Sequence, residues 1–588
     1  MDQQPQAALD ALGADTKDSI AQSLWLDRFD PARIPPDVLS KLADPKNSNR
    51  AFGQRQGYRM QQLLEHPEPF GGDNRRRYDF LMRYCEALSP HQAYAMCTVM
   101  GGDTAIGYKD MPEKANFQFP RDYQADLETQ VGWYFLIGSA RGKNGKEYGL
   151  EIMLFRYALL PPPMARHFGL TDEENQIVEL HFAIAEAGRG HWQTVPFVVA
   201  GTTGMLEFKR NTIHMRMGKN VIGPADGAGP FPMRVAMRGV DRGEPTPVII
   251  ETELLFTSGK GVMPVGADGC LPCCAGVGTL YYAIPDLQVD LARSSLTLNG
   301  ERIEFDWGRF WIEHQWADAM IPGGNPRSAV LRAASALAPK SGSQPVVGWD
   351  YFIAQFDAGY QLNFFSLHTS DYQNFYRQTG PTPPGTMTVP ISGNVMDPQK
   401  GVHDVDGTLQ ITEWVKVESS PDRAQYFPTH TWYPNKWVFD LGAPLPADIG
   451  KFTMFPIVPK GGSTGFFAFG AQYAEGATYL RDPQGKDIGR GWAESVMYAD
   501  PADNTAALVG LPRGDATTRA LAKTEPSGLQ KLWALIYTLW PPHARELKRL
   551  LQACIEGGAG KGYPPKAAPG TTTAAATAGK SIDAHPAG

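Results

Sequence analysis

The sequence predicts a mainly β fold: two similar antiparallel β domains with helical segments at both ends. Three observations carry this. From about residue 128 to 500 the chain runs in short apolar, aromatic-rich stretches separated by turn residues. It also repeats itself. "VGWYFLIGSARGKNGKEYGLEIMLFRYALL" from Val131 and "VGWDYFIAQFDAGYQLNFFSLH" from Val347 share Val-Gly-Trp, an aromatic strand, a Gly-containing turn and a long apolar strand. Such an internal match indicates a duplicated unit; a chance likeness of two hairpins is the plainer alternative. Helical periodicity, finally, is confined to the segments before residue 100 and after 515.

Each element follows in order. Residues 1–127 are expected to form a helical N-terminal extension, with Leu, Phe, Tyr and Met at helical spacing in "PPDVLSKLADP" and "RRRYDFLMRYCEALSPHQAYAMCTVM". The Arg75–Arg77 run reads as a phosphate contact or, more plainly, a solvated helix start. Residues 128–300 are expected to form the first β unit. Its opening hairpin turns at Asn144-Gly145, a strong short-range hairpin signal, and strands follow in "IVELHFAIAEA", "MRVAMRG" and "TPVIIETELLFT". Residues 301–510 are expected to form the second, with a Pro/Ala/Ser/Gly-rich loop at 321–345. Residues 511–557 read as two helices around Pro541-Pro542, with an apolar stripe of Trp533, Ile536, Leu539 and Trp540. The tail at 558–588 has little to bury and is expected to be disordered.

Length and composition narrow the function classes. A chain of 588 residues exceeds one ordinary core. The net charge of −7, without a lysine-rich arm, argues against nucleic acid as a partner. The N-terminus lacks the basic start and apolar core of a signal peptide, and no run approaches a membrane span. A cytoplasmic location is expected. Six cysteines are too sparse for a disulfide scaffold. Cys270-x-x-Cys273, followed by Cys274, has the spacing of half a zinc site, but no second cysteine pair supplies the other ligands; a thiol-rich loop is the simpler reading. No Walker loop, dinucleotide loop, His-Glu-x-x-His or nucleophile elbow is present. "GTTG" at 201–204 reads as a turn. Neither cofactor nor metal is expected.

Two aromatic-acid segments point to chemistry. In "FWIEHQWAD" (310–318), strand alternation places Phe310, Ile312, His314 and Trp316 on one face and Trp311, Glu313 and Gln315 on the other. In "GWDYFIAQFDAGYQL", Trp349, Tyr351, Ile353, Gln355 and Asp357 share one face, and Asp350, Phe352, Ala354 and Phe356 the other. A carboxylic acid enclosed among indole and phenol rings favours its neutral form and is suited to protonating a carbon–carbon double bond. Ring faces stabilise the resulting cation, and an imidazole orients the acid or activates water. A barrel core holding a few hydrogen-bonded polar residues is the alternative.

These segments carry a resemblance. "FWIEHQWAD" is similar to the Trp-x-Asp-His-(Gln/Glu)-Trp-Gly element of the hydratases that act on carotenoids and of their lipocalin-like relatives, which include fungal prenyl-phenolic hydratases and cycloaddition enzymes. "GWDYFIAQFDAGYQL" resembles the Gly-Trp-Asp-Trp-Phe segment that follows it there. "YGLEIMLFR", "LYYAIPDLQVD", "TWYPNKW" and "GRGWAESVMY" match further elements in order, over about residues 128–500. The resemblance implies two lipocalin-like β-barrels and an enzyme without organic cofactor. By motif match it implies His314 and Trp316 as catalytic residues, with Asp350, Tyr351 or Asp357 as their partners. Trp349, Glu313, Gln355 and Trp133 are the expected cavity residues. Departures are Glu313 for the usual Asp, Ala317 for Gly and Tyr351 for a frequent Trp.

The expected function is therefore a cofactor-independent hydratase, or hydratase-isomerase, acting on a double bond of an apolar, isoprenoid small molecule. The proton donor would be Asp350, Asp357 or Glu313. A cyclase or pericyclase acting on a polyene, and a non-catalytic lipid or pigment binder, are the alternatives. Peripheral membrane contact and a homo-oligomer are compatible roles for the extensions.

Overall fold

The computed structural model describes most of residues 3–44 and 108–498. Residues 45–107, 318–345, 370–381, 418–430, 467–471 and 499–588, with a few shorter stretches, are outside it. The expectations for Arg75–Arg77, the 321–345 loop, the 511–557 helices and the 558–588 tail fall on these residues.

Alternating apolar runs become strands. The first unit begins with the hairpin β1 (Val131–Gly142) and β2 (Glu147–Ala158), and continues through β3 (Gln176–Glu186), β4 (Gly190–Gln193) and β5 (Phe197–Ala200). Then come β6 (Leu206–Phe208), β7 (Met215–Met217), β8 (Asn220–Pro224), β9 (Met233–Asp241) and β10 (Val248–Ser258). It ends with β11 (Met263–Pro264), β12 (Cys270–Cys273), β13 (Val277–Val289), β14 (Ser295–Leu298) and β15 (Glu301–Ala317). The sheet order is β4-β3-β2-β1-β15-β13-β10-β9-β8-β7-β6, and β14 closes a four-strand ring by joining β10 to β15. The curled ends approach one another where the Gln193 backbone N–H donates to Asp241 at 2.8 Å. At the β1–β2 turn, Gly145 adopts φ +79, which its missing Cβ permits, and Asn144 Oδ1 accepts from the Lys146 N–H.

The second unit comprises β16 (Val346–Phe356), β17 (Gln361–Thr369), β18 (Met387–Asp397), β19 (Gly401–Val417) and β20 (Thr431–Leu441). β21 (Lys451–Pro456), β22 (Ser463–Phe466), β23 (Gln472–Arg481) and β24 (Asp487–Val496) complete it. Eight of these strands close a barrel: β16 to β21 lie in sequence order, β21 pairs with β23, and β24 returns to β16. The expected pair of lipocalin-like antiparallel barrels is thus observed, and the Val-Gly-Trp repeat opens each one.

Two boundaries are corrected. β15, expected to start the second barrel, is the strand on which the first unit turns, paired with β1, β13 and β14. Among its described residues the extension is helical in α1 (Gln3–Asp10), α2 (Ala14–Ser23) and α3 (Pro36–Ala43), and carries no α-helix over 114–127. Ile20, Val38 and Leu42 of these helices, with Leu24 just after α2, join the first barrel's core. Residues 114–130 are irregular, apart from one 3-10 turn at Arg121–Tyr123; Phe117 and Tyr123, partly buried, pack against the first barrel's core rather than along a helix face, and Phe119 is exposed. Among the described residues, no helix is long and apolar enough to cross a membrane.

Alternation gives each barrel an inner and an outer face. Tyr134 and Leu136 point into the first core, and Phe352, Ala354 and Phe356 into the second. The outer faces of β1, β2, β15, β16, β23 and β24 are pressed together, so residues on them are buried as well. Phe135 meets Trp492 edge-on at 6.4 Å, the Gly188 N–H donates to Ile457 O at 3.0 Å, and Arg490 pairs with Glu147 at 2.8 Å. This seam between the barrels is the setting of the candidate site.

Candidate active site at the seam between the barrels

β15 separates two chemistries. On its inner face His314 and Trp316 lie with ring centroids 4.4 Å apart. Tyr134 and Tyr282 surround the imidazole at 4.5 and 5.4 Å, and Phe117 packs against both Trp316 and Tyr282. His314 Nδ1 lies 3.3 Å from Asp122 O. Burial pushes this imidazole down to about 3, so it is neutral at physiological pH.

On the outer face Glu313 enters the seam, 1% exposed. The hydroxyls of Tyr281 and Tyr351 both donate to its carboxylate, and Trp311 Nε1 donates to Oε1 at 2.6 Å. Burial pushes Glu313 up to about 7, against the lowering pull of these three donors. Tyr281 comes from β13 and Tyr351 from the second barrel, so the carboxyl is gripped from both units.

Further acids share the seam. Cross-strand register places Glu475, Glu494 and Tyr351 directly opposite one another on β23, β24 and β16. Glu494 is pushed up to about 8 by burial and then by the charge of Glu313, while a hydrogen bond from Trp349 resists the rise. Glu475 is raised by burial and by neighbouring Glu151 and Glu494, and accepts from Trp492 Nε1 at 2.7 Å. Glu151, on β2 of the first barrel, accepts from the Tyr473 hydroxyl at 3.3 Å. Tyr473 is also 2.5 Å from His181 Nδ1. His181 Nε2 is 2.9 Å from Glu179, which accepts from Tyr157 at 2.7 Å. A cleft at this end of the seam is lined by Glu151, Glu475, Trp492, His191, Ile457 and Ala477.

The sequence-predicted residues do not all converge. Glu313 and Tyr351 meet. Trp349 joins the same seam through Glu494, and Trp133 lies on the outer face, stacked on Phe155 at 4.6 Å. His314 and Trp316 lie on the opposite face of β15. Asp350 points into the second barrel, where Ser495 donates to it at 2.5 Å and Tyr498 at 2.9 Å. Gln355 is held by Gln361 at 3.0 Å. Asp357 lies past the end of β16 with a 66% exposed side chain, paired to Arg309 at 3.0 Å. An acid there faces water, so Asp357 leaves the candidate set. Of the CLPCC cluster, Cys270 is buried with its Sγ 3.7 Å from Pro112 O, and among the described residues no cluster of His, Cys, Asp and Glu has metal-binding geometry.

Sequence reasoning missed Glu151, Glu475, Glu494, Tyr281 and His181. One signal was available. Trp311-x-Glu313 recurs as Trp492-x-Glu494, and each pair lies on the strand beside its barrel's opening strand.

Two antiparallel barrels closed on a buried seam of carboxyl and phenol groups define the class of molecule. The chain belongs to the AttH-like family, whose sequence model matches residues 110–498. It is similar to the crystal structure of a Nitrosomonas europaea protein assigned to AttH, at 17% identity and a TM-score of 0.43, over 66% of this chain and 99% of that one. It is also similar to the crystal structure of kievitone hydratase from Nectria haematococca, at 12% identity and a TM-score of 0.38, over 67% of this chain and 97% of that one. No curated protein matches the chain.

Proposed function

We propose that the chain is a cofactor-independent hydratase that adds water to a carbon–carbon double bond of an apolar, isoprenoid small molecule, with Glu313 as the proton donor. The observation that carries this reading is the carboxyl of Glu313, buried between the barrels, held by two phenols and an indole, and pushed up to about 7. Such a group keeps a substantial protonated share at neutral pH and has a fixed geometry, as a general acid requires. The motif resemblance of "FWIEHQWAD" points the same way.

In this reading the Glu313 O–H bond breaks as a C–H bond forms on the alkene. The neighbouring carbon becomes cationic and is stabilised by the ring faces of Trp311 and Tyr351. Water then forms the C–O bond and gives up one proton, so the substrate gains one water and the enzyme is unchanged. His314 and Trp316 act as positioning residues, because their packing against Tyr134 and Tyr282 fixes the strand that carries Glu313.

The test incubates the full chain with a panel of isoprenoid alkenes in deuterated water and reads product mass. The expected product carries one water and one carbon-bound deuterium, and Glu313→Gln lowers turnover by about 10²- to 10⁴-fold. Unchanged turnover in Glu313→Gln, or a cyclised product without solvent deuterium, overturns the proposal.

A further inference from the structure

Hydration requires a proton to leave Glu313 and an equivalent one to come back, yet Glu313 lies deep in the seam. We infer that Glu494, Glu475 and Glu151 form a proton wire that connects the Tyr351–Glu313 pair to the cleft at the far end of the seam. The inference rests on the reading of Glu313 as the donor, and adds to it three positioning residues and a route.

The geometry is that of a row. Glu475, Glu494 and Tyr351 are consecutive cross-strand partners on one face of the second barrel, and such neighbours have Cβ atoms about 4.5–5.5 Å apart. The Tyr351 hydroxyl donates to Glu313, which links the row to the first barrel at one end. At the other end Glu475 and Glu151 line the same cleft from opposite barrels. Other polar groups around the row include Tyr281 and Trp311 on Glu313, Trp349 on Glu494, Trp492 on Glu475, Tyr473 on Glu151, His191 at the cleft, and Asp350 beside Glu494 on the inner side. All four glutamates are buried. Carboxyls packed this closely do not all ionise, so the row holds protons that it can pass on.

The step balances. When Glu313 gives its proton to carbon, its oxygen takes the Tyr351 hydroxyl proton. Tyr351 is refilled from Glu494, and Glu494 from Glu475. The vacancy now sits at the cleft, where the Glu475–Glu151 pair takes up a proton from solvent, and the attacking water releases its own proton to solvent. Each O–H broken along the row is matched by one formed, and every carboxyl returns to its starting state.

The test needs no substrate. Infrared spectra of the full chain, transferred rapidly from light to heavy water, follow the carbonyl bands of protonated carboxyls, with Glu313→Gln identifying the Glu313 band by its loss. In the parent that band shifts in a fast phase. Glu475→Gln and Glu494→Gln, each retaining the parent's circular dichroism, are expected to lose this fast phase while the Glu313 band itself remains. Two variants at separate points of the row guard against one that does not fold. Fast exchange in both variants overturns the wire, even if Glu313→Gln abolishes hydration. Lost fast exchange with hydration unaffected by Glu313→Gln supports the wire and overturns only the assigned function.

Discussion

Glu313 of the first barrel accepts a hydrogen bond from Tyr351 of the second, so one carboxyl is fixed by residues from both units. Removing that hydroxyl has two consequences. Hydrogen bonds to the carboxylate lower the pKa of Glu313, so Tyr351→Phe moves it further up. Loss of a hydrogen bond to a charged acceptor costs about 1.5–3 kcal/mol. Infrared titration and denaturant unfolding of Tyr351→Phe check both effects; an unchanged pKa would show that the contact is incidental.

Stability should fall on both sides of a weakly acidic optimum. Glu313 rises from its ordinary 4.5 to about 7, and Glu494 to about 8. The folded chain therefore binds more protons than the unfolded one in that window, and stability is lost as pH climbs through it. His314 falls from its ordinary 6.5 to about 3. There the unfolded chain binds more protons, and stability is lost as pH drops from 6.5. Shifts of this size are each worth roughly 3–5 kcal/mol. Glu313→Gln should flatten the alkaline side of the curve and leave the acid side in place, as read by thermal unfolding between weakly acidic and alkaline buffers.

The close approach of the barrels gives a packing prediction. A Cβ added at Gly149 would lie 2.5 Å from the Ala477 Cβ. Gly149→Ala should destabilise by about 1–3 kcal/mol, as overpacking does. Ala477→Gly in the same chain should recover much of the loss, because the two positions share one contact. Additive losses in the double variant would contradict the contact.

Arg156 offers a test inside the first barrel. Fully buried, it donates to Thr129 O at 3.0 Å, Gln176 Oε1 at 2.6 Å and Thr129 Oγ1 at 2.7 Å, and burial lowers its pKa to about 10. Arg156→Met strands these acceptors at about 1–3 kcal/mol each. Arg156→Lys lacks the planar fork and should not restore stability. Denaturation midpoints decide the matter, and a lysine variant matching the parent would refute the role of the fork.

Much of the fold is legible in the sequence because its signals are local. Asn144-Gly145 marks a turn, and the repeated Val-Gly-Trp marks where each barrel opens. The faces of 310–317 and 349–356 follow from alternation alone. What the sequence does not carry is which barrel claims β15, since its pairing with β1 joins residues far apart in the chain. The same limit hides the acids. Glu151 and Glu494 each interrupt an apolar run, but whether an outer face meets water or another sheet depends on how the units pack. The motif match led to His314 and Trp316, whereas Glu313, immediately before His314, is the residue that reaches the seam.

The 17-residue strand β15 carries an imidazole and a carboxylate on adjacent positions and opposite sides. Inserting or deleting a single residue ahead of Glu313, with the pairing of the preceding stretch retained, would exchange them. The acid would then enter the aromatic interior of the first barrel, and the histidine would be sent among glutamates. Chain length is therefore a constraint here in its own right: the count of residues leading to Glu313 cannot change by one.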